Sequence, residues 1–255
     1  MAKVNTTISS DDHLLARRLA QETGKILVEL RDRLVAEGVP QADLKDQGDM
    51  AAHHHIVETL AAERPNDAVL SEEGIDNTER LGAERIWIVD PLDGTREFSE
   101  PPRIDWAVHI CLIAGGEPVV GAVCLPAESI VLDTAQPPAL PSPAKNAPRV
   151  IVSRTRRPPP AQRLADELGA TYIEMGSAGA KAMAVVRGVA DIYAHSGGQY
   201  EWDSAAPVAV ARAAGLHTSR LDGSALEYNR RDPYLPDLLI CRPEWAEQSL
   251  EILNR

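Results

Sequence analysis

The residues best suited to chemistry follow a short apolar run at 86–89. This β-prone run stops at Asp90, as a buried strand does at the edge of a sheet. Pro91 has no backbone N–H, so it ends strand pairing and can turn the Leu92 carbonyl away from the sheet. That carbonyl and the carboxylates of Asp90 and Asp93 are hard oxygen ligands that suit Mg²⁺ or Mn²⁺. The stretch predicts a divalent cation site, although the same residue types also build ordinary turns.

Gly94 and Thr95 come directly after these oxygen ligands. A glycine permits close backbone approach, and N–H groups exposed at a turn or a helix start bind phosphate oxygens. A cation and a phosphate group could therefore meet at this point of the chain.

Two further acidic segments lie beside the ends of apolar elements. The apolar run 68–70 leads into Ser-Glu-Glu at 71–73, and Asp203 opens an Ala/Val-rich helix that Gly215 is expected to close. We expect Asp203 to be the N-cap of that helix and Pro207 to lie in its first turn. Singly, these acids fit a solvated turn and a helix cap. Together with Asp90 they favour a shared cation, because clustered like charges require one.

Three segments resemble the signatures of the inositol monophosphatase family of Mg²⁺-dependent, lithium-sensitive phosphatases. They are Ser-Glu-Glu at 71–73, Trp-Ile-Val-Asp-Pro-Leu-Asp-Gly-Thr at 87–95 and Trp-Asp-Ser-Ala-Ala at 202–206. Their order and separations also fit, so the resemblance extends over most of the chain. It implies the layered αβαβα sugar-phosphatase fold of that family, of α+β or α/β class. Asp-Gly-Thr-Arg-Glu-Phe at 93–98 is more similar to the CysQ branch, the 3′-phosphoadenosine 5′-phosphate phosphatases, than to inositol phosphatases.

The resemblance implies two Mg²⁺ ions, for which Mn²⁺ can substitute, and it assigns ligands to them. Glu72, Asp90 and the Leu92 carbonyl would hold the first ion, and Asp90, Asp93 and Asp203 the second. Asp49 falls where the family places the acid of a third, weaker site, but the motif around it is degenerate. Two such cations can neutralise phosphoryl oxygens and lower the pKa of a bound water.

The same resemblance implies catalytic and substrate-binding roles. Glu72 and Thr95 would orient and deprotonate the attacking water, and Asp93 is the third predicted catalytic residue. The predicted substrate contacts are Gly94, Thr95, Arg96, Arg154, Ser177, Lys181 and Asp203. The three bases among them would anchor a second phosphate. Alternatively they are solvated surface bases, and the segment 176–181 is a small-residue helix start packed against a sheet.

The function implied is Mg²⁺-dependent hydrolysis of the 3′-phosphate of 3′-phosphoadenosine 5′-phosphate, giving AMP and phosphate, in sulfur assimilation or nucleotide recycling. Inositol 1-phosphate and fructose 1,6-bisphosphate are the alternative substrates. A third hypothesis is a non-catalytic sensor that binds a phosphorylated ligand and keeps the acids for metal-dependent stability.

Composition narrows the setting in which such a protein works. A formal net charge of −12 argues against binding to nucleic acids or anionic membranes. The three cysteines form no CxxC pair, which is typical of a reduced, cytoplasmic chain. Residues 1–7 lead into no apolar signal core, and no apolar run is long enough for membrane insertion. We expect a small phosphorylated substrate as the partner, and a homodimer is a further expectation.

The organisation of the chain follows from its apolar periodicity and its turn residues. A long amphipathic helix is predicted from about residue 10 to Gly38, followed by a loop at 39–48 and a helix from His53. The proline-rich segment 136–148 is the predicted linker between an N-terminal α+β half, 1–135, and a C-terminal α/β half, 149–255. The last element predicted is a buried strand near Ile240.

Overall fold

The computed structural model describes residues 8–142 and 146–255. The α-helices of this part of the chain are α1 Ser10–Ala36, α2 Gln41–Glu63, α3 Thr95–Phe98, α4 Pro159–Leu168, α5 Ala178–Val186, α6 Glu201–Ala213 and α7 Pro243–Leu253. The strands are β1 Ala68–Ser71, β2 Arg85–Asp93, β3 Ala107–Ala114, β4 Glu117–Leu125, β5 Ile130–Asp133, β6 Arg149–Ser153, β7 Thr171–Met175, β8 Ile192–Tyr200, β9 His217–Ser219 and β10 Tyr234–Cys241.

The strands form two five-stranded sheets. The first has the order β1-β2-β3-β4-β5, with β1 parallel to β2 and the remaining pairs antiparallel. The second has the order β7-β6-β8-β10-β9, in which β6 runs parallel to both of its neighbours. Each sheet uses strands from one side of the proline-rich segment only.

Helices separate and cover the two sheets. The apolar faces of α1 and α2 pack on one side of the first sheet, and α5 and α6 fill the space between the sheets. On the far side of the second sheet, α4 and α7 share a third apolar cluster with β6, β8 and β10. The result is the layer order αβαβα, so the predicted fold is confirmed.

Side-chain alternation along β2 decides which way its acidic end faces. Trp87 and Val89 point into the outer layer of α1 and α2, whereas Ile86 and Ile88 point towards α5 and α6. Because successive strand residues face opposite sides, Asp90 continues the second set and faces the inner helices. The sheet therefore delivers this carboxylate to the middle of the molecule.

The predicted loop at 39–48 is wrong, because α2 begins at Gln41. Its buried stripe has one residue per turn, at Leu44, Gly48, Ala52, Ile56 and Leu60. Glycine and alanine at two of these positions make the stripe look polar and interrupted in sequence. They are small because neighbouring parts of the chain pack closely against them.

Two details of α6 also differ from the prediction. The N-cap is Tyr200, and Asp203 occupies the third helical position, where its Oδ2 accepts a hydrogen bond of 2.7 Å from the Tyr200 N–H. Pro207 lies inside the helix instead of in its first turn. Asp203 therefore still satisfies a free donor at the helix start, as position N3 does in a capping box.

The remaining sequence expectations are partly outside the described residues. Residues 1–7, and residues 143–145 of the predicted linker, lie outside the described residues. The division of the chain into two halves stays a prediction. Helix α7 follows the last predicted strand and was not predicted at all. In the described ranges no helix combines the length and apolarity needed to span a membrane.

Candidate active site

Three of the predicted acids converge between the two sheets. Asp90 and Asp93 come from the end of β2, and Asp203 comes from the first turn of α6. One carboxylate oxygen from each lies within 4.8 Å of the others. The side chains of Asp90 and Asp93 are buried, and that of Asp203 is half-buried. Such a set of oxygen atoms suits a small hard cation.

A break in strand pairing places two of these acids on one side. Asp90 pairs with His109 of β3, but the register then shifts before Asp93 pairs with Ala107. Within the bulge, the Leu92 N–H donates to Asp90 Oδ1 at 3.1 Å. An extra residue in the bulged strand changes the alternation, so both carboxylates reach the inner layer. The Leu92 carbonyl accepts a bond of 3.1 Å from the Thr95 hydroxyl.

Gly94 makes the turn from β2 into α3, and only glycine fits there. Its φ is +86°, a conformation that L side chains rarely adopt. A Cβ atom at this position would lie 3.3 Å from the Asp105 carbonyl oxygen and 3.1 Å from the Ser177 Cβ. The turn brings the start of α3 against the start of α5.

Glu72 and Asp49 border the acidic trio. Glu72 directly follows β1, and its N–H donates to the Val89 carbonyl at 3.4 Å, so it leaves the sheet beside Asp90. Asp49 lies on α2, and its Oδ1 is 3.2 Å from the Thr95 hydroxyl, which is also shared with the Leu92 carbonyl. The structure thus brings every predicted metal ligand to one region.

Clustering changes the acidity of most of these groups. Withdrawal from water, followed by repulsion from neighbouring carboxylates, raises the pKa values of Asp49, Glu72 and Asp203 to about 7. The same causes raise the pKa of Asp90 well above its ordinary value. The excess negative charge is what a divalent cation would neutralise, so the donor set fits Mg²⁺ or Mn²⁺.

Asp93 behaves in the opposite way. Burial alone would raise its pKa, but hydrogen bonding and the nearby positive charge hold the pKa at about 2. Its donors are the Ser177 hydroxyl at 2.5 Å and the N–H groups of Gly179 at 2.6 Å and Ala178 at 3.0 Å. All three donors belong to the start of α5, so Asp93 both faces the acidic cluster and caps that helix.

The predicted phosphate contacts are not equally accessible. The Lys181 side chain is buried, and its Nζ donates to the Ser177 carbonyl at 2.5 Å, while the Ser177 hydroxyl is held by Asp93. Arg154 is bound at 2.6 Å by both Glu97 and Glu100. The side chains of Lys181, Ser177 and Arg154 are thus occupied by partners within the protein.

Arg96 is the most open of the predicted bases. Its side chain is 54% exposed, and its ion pair with Glu100 is a single contact of 3.1 Å one helical turn away. It directly follows Thr95, so it lies at the same turn as the predicted phosphate cradle. Among the bases predicted, it is the one with a guanidinium free to meet a ligand.

His109 is a residue of the site that the sequence prediction missed. It is fully buried in β3, directly opposite Asp90, and its Nε2 lies 3.2 Å from Asp93 Oδ2. Burial lowers the pKa of His109, but the carboxylate of Asp93 outweighs this and raises it above the ordinary value. The available signal was a single polar residue inside an otherwise apolar strand, in register with the acid that ends the preceding strand.

Known proteins share both the sequence and the fold. Residues 11–254 match the model of the inositol monophosphatase family. A Mycobacterium bovis protein named 3′-phosphoadenosine 5′-phosphate phosphatase is 50% identical, over 88% of this chain and 86% of its own length. A Mycobacterium leprae protein of the same name is 48% identical, over 95% of this chain and 93% of its own length. The crystal structure of CysQ from Bacteroides thetaiotaomicron superposes with a TM-score of 0.76 at 26% identity, covering 91% of this chain and 97% of that chain.

Proposed function

Because this chain belongs to the inositol monophosphatase family, we propose that it is a Mg²⁺-dependent phosphatase that converts 3′-phosphoadenosine 5′-phosphate to AMP and phosphate. The observation that carries the proposal is the convergence of Asp90 and Asp93, from the end of β2, with Asp203, from the start of α6; Glu72 lies beside them. The names of the mycobacterial relatives support the substrate.

The proposed cation site uses oxygen ligands only. Glu72, Asp90 and the Leu92 carbonyl would hold one Mg²⁺, and Asp90, Asp93 and Asp203 a second, with Asp49 available to a third. Bound there, Mg²⁺ would supply positive charge to the phosphoryl oxygens and lower the pKa of a water. The ionised state of Asp93 supports this ligand set, since a carboxylate must lose its proton to bind a cation.

The remaining chemistry belongs to side chains and amides of the cleft. The Glu72 carboxylate, which leaves the sheet beside Asp90, would accept a proton from the attacking water. The Thr95 hydroxyl lies between the Leu92 carbonyl and Asp49 and can orient that water. Amides of Gly94 and Thr95 would hold the phosphate, and the exposed Arg96 would bind the 5′-phosphate.

A substrate panel tests the proposed activity. Purified protein with Mg²⁺ is assayed for phosphate release from 3′-phosphoadenosine 5′-phosphate, inositol 1-phosphate and fructose 1,6-bisphosphate. We expect the bisphosphate nucleotide to give the highest kcat/KM by a wide margin. Faster turnover of inositol 1-phosphate or of the sugar bisphosphate would contradict the substrate assignment.

A pair of variants tests whether the acids act in catalysis or only in ligand binding. Asp90→Asn should abolish turnover, whereas Asp133→Asn, which changes a buried acid of β5 outside the cleft, should not. Asp90 is preferable to Asp93 here, because Asp93 also caps α5. A wild-type protein that binds the nucleotide without hydrolysing it would instead favour a sensor.

The location of the protein and its oligomeric state stay predictions from the sequence. The three thiols are free and buried, as expected of a chain from a reducing compartment. Cytoplasmic location, a role in sulfur assimilation or nucleotide recycling, and a homodimer are each consistent with the proposed activity. Fractionation and size measurements on the purified protein test them.

A further inference from the structure

We propose that His109 is a positioning residue for the cation site, which holds Asp93 and the start of α6 in the geometry that binds divalent ions. The inference rests on the proposed role of Asp93 as a metal ligand. Strand β3 is then part of the site, although none of the three acidic segments lies on it.

The ring of His109 lies where three elements meet. It extends from β3 towards the inner helices, since its neighbours Val108 and Ile110 face the opposite layer. Its Nδ1 lies 3.0 Å from the Trp202 carbonyl oxygen, one residue before Asp203. Its Nε2 lies 3.2 Å from Asp93 Oδ2. One side chain thus contacts both β2 and α6 beside their metal-facing acids.

The Nδ1 contact is a hydrogen bond that the ring donates, and the Nε2 contact is a close charge contact with the carboxylate of Asp93. A backbone carbonyl and a carboxylate oxygen accept hydrogen bonds and cannot supply them. The side chain is fully buried, so no solvent can replace either contact if it is lost. Asp90 Oδ2 lies 3.9 Å from Nδ1, beyond hydrogen-bond distance, so the ring contacts Asp93 and α6 more closely than Asp90.

The start of α5 is shaped around this ring. A Cβ atom on Gly179 would lie only 1.9 Å from His109 Nε2, so the helix backbone packs directly on the imidazole. The Gly179 N–H donates to Asp93 Oδ2 at 2.6 Å, and His109 Nε2 lies 3.2 Å from the same oxygen. With the Ser177 hydroxyl on the same atom, Oδ2 is surrounded by protein donors, while Oδ1 receives only the Ala178 N–H. This asymmetry leaves Oδ1 as the oxygen available to a cation.

Loss of a group that orients a metal ligand typically weakens metal binding by about 10- to 100-fold. Two substitutions separate the contacts of His109, because each retains one nitrogen position of the ring. His109→Gln places an amide near Nε2 and can still donate to Asp93. His109→Asn places an amide near Nδ1, so it can reach the Trp202 carbonyl but not Asp93.

The measurement is direct binding of Mn²⁺ without substrate, followed by the electron paramagnetic resonance signal of the free ion, with thermal melting alongside. We expect His109→Asn to bind Mn²⁺ at least about tenfold more weakly than the wild type. His109→Gln should stay within a few-fold. Equal Mn²⁺ affinity in wild type and His109→Asn, with only a lower Tm, would show a merely structural residue and overturn the proposal.

A substitution at a second position, Gly179, keeps the test decisive if His109→Asn does not fold. Gly179→Ala should displace the imidazole and weaken Mn²⁺ binding by a comparable factor, since its Cβ would overlap Nε2. Unchanged Mn²⁺ affinity in folded Gly179→Ala protein would also overturn the proposal. In the double variant His109→Asn/Gly179→Ala the imidazole is absent, so the alanine has nothing to overlap. Gly179→Ala should therefore weaken Mn²⁺ binding little beyond the effect of His109→Asn alone. Because no substrate is present, failure of the nucleotide assay alone would refute the proposed substrate and leave this inference standing.

Discussion

Asp93 and Asp203 are aspartates whose oxygens lie within 4.8 Å of each other, yet their pKa values are about 2 and about 7. The difference comes from the donors each receives. Asp93 accepts bonds from Ser177, Ala178 and Gly179 and lies against His109, whereas Asp203 accepts one, from the Tyr200 N–H. Hydrogen bonding to the charged form lowers a pKa, and crowding with like charges raises it.

We predict that the metal-free protein becomes less stable as the pH rises from 6.5 to 8. Glu72, Asp49 and Asp203, with folded pKa values of about 7, keep protons that the unfolded chain has already released. The folded state therefore loses this advantage as pH rises through 7, by up to about 1.4 kcal/mol per pH unit for each of Asp49 and Asp203 and by less for Glu72, which is more exposed to solvent. Urea unfolding with a chelator present measures the slope of the unfolding free energy against pH.

Asp203→Asn is the control for that slope, because it removes one of the three titrating carboxyls. The variant should show a shallower fall in stability than the wild type over the same range. His195, whose pKa burial lowers to about 4, makes stability rise with pH up to about 7, but it contributes equally to both proteins and so cancels in the comparison. Identical slopes in the two proteins would contradict the assigned acidity of Asp203.

We predict that Arg96→Ala raises KM for 3′-phosphoadenosine 5′-phosphate by about tenfold or more, since a charged hydrogen bond contributes roughly 1.5–3 kcal/mol. Hydrolysis of adenosine 3′-monophosphate, which lacks the second phosphate, should change little. Arg18→Ala is a matched control, because Arg18 also pairs with a glutamate one turn along, at 3.2 Å. Equal effects of Arg96→Ala on both substrates would place the second phosphate elsewhere.

At the scale of elements, predictions succeeded where one segment carries its own signal. The end of β2, the long first helix α1 and the start of α5 were predicted and are present. The start of α2 was not, because Gly48 reads as a helix breaker in sequence. Only the packed structure shows that it is small to admit Phe98 and Leu92.

We predict that Gly48→Ala destabilises the protein and reduces its activity. The new Cβ would lie 2.7 Å from Phe98 Cε1 and 2.9 Å from Leu92 Cδ2, and both side chains are buried and cannot withdraw. Overpacking destabilises a core by roughly 1–3 kcal/mol. Replacing glycine by alanine in a helix contributes only about 1 kcal/mol of helix propensity in the other direction, so the net effect is destabilising. The displacement would move the Leu92 carbonyl, so kcat should fall as well.

Gly82→Ala is the control for this substitution. It adds the same methyl group to a short 3₁₀ turn where nothing lies within 4 Å of the new atom. Chemical denaturation should give a wild-type midpoint for Gly82→Ala and a lower one for Gly48→Ala. A Gly48→Ala protein with wild-type stability and activity would mean that α2 and the Leu92 turn are not tightly coupled.

At the scale of the whole molecule, family membership and the layered fold were predictable because three ordered motifs specify them together. The part of His109 was not, since it depends on the pairing of β3 with β2, and register is a property of two strands. Nor could the sequence tell that Lys181, Ser177 and Arg154 would be occupied by internal partners. Lys181 is held by carbonyls of its own helix start, whereas the Ser177 and Arg154 contacts arise only where distant segments meet at Asp93 and at α3.

Because the acids come from the first sheet and from α6, which lies between the two sheets, we predict that Mg²⁺ stabilises the whole chain. At about 100 times its dissociation constant, a ligand that binds only the folded state adds about 2.7 kcal/mol. The wild type should melt several degrees higher with Mg²⁺, and Asp90→Asn and Asp203→Asn should both lose most of this rise. A rise that survives in Asp203→Asn would show that α6 does not share the ion with β2, and one that survives in Asp90→Asn would show that Asp90 does not bind it.

The most direct test of the account is an anomalous difference map from a crystal soaked in Mn²⁺. We predict two strong peaks at the end of β2, both within bonding distance of Asp90, one also contacting Glu72 and the other Asp93 and Asp203. An empty map at this position, or peaks bound by other residues, would contradict the proposal that these carboxylates form one shared cation site.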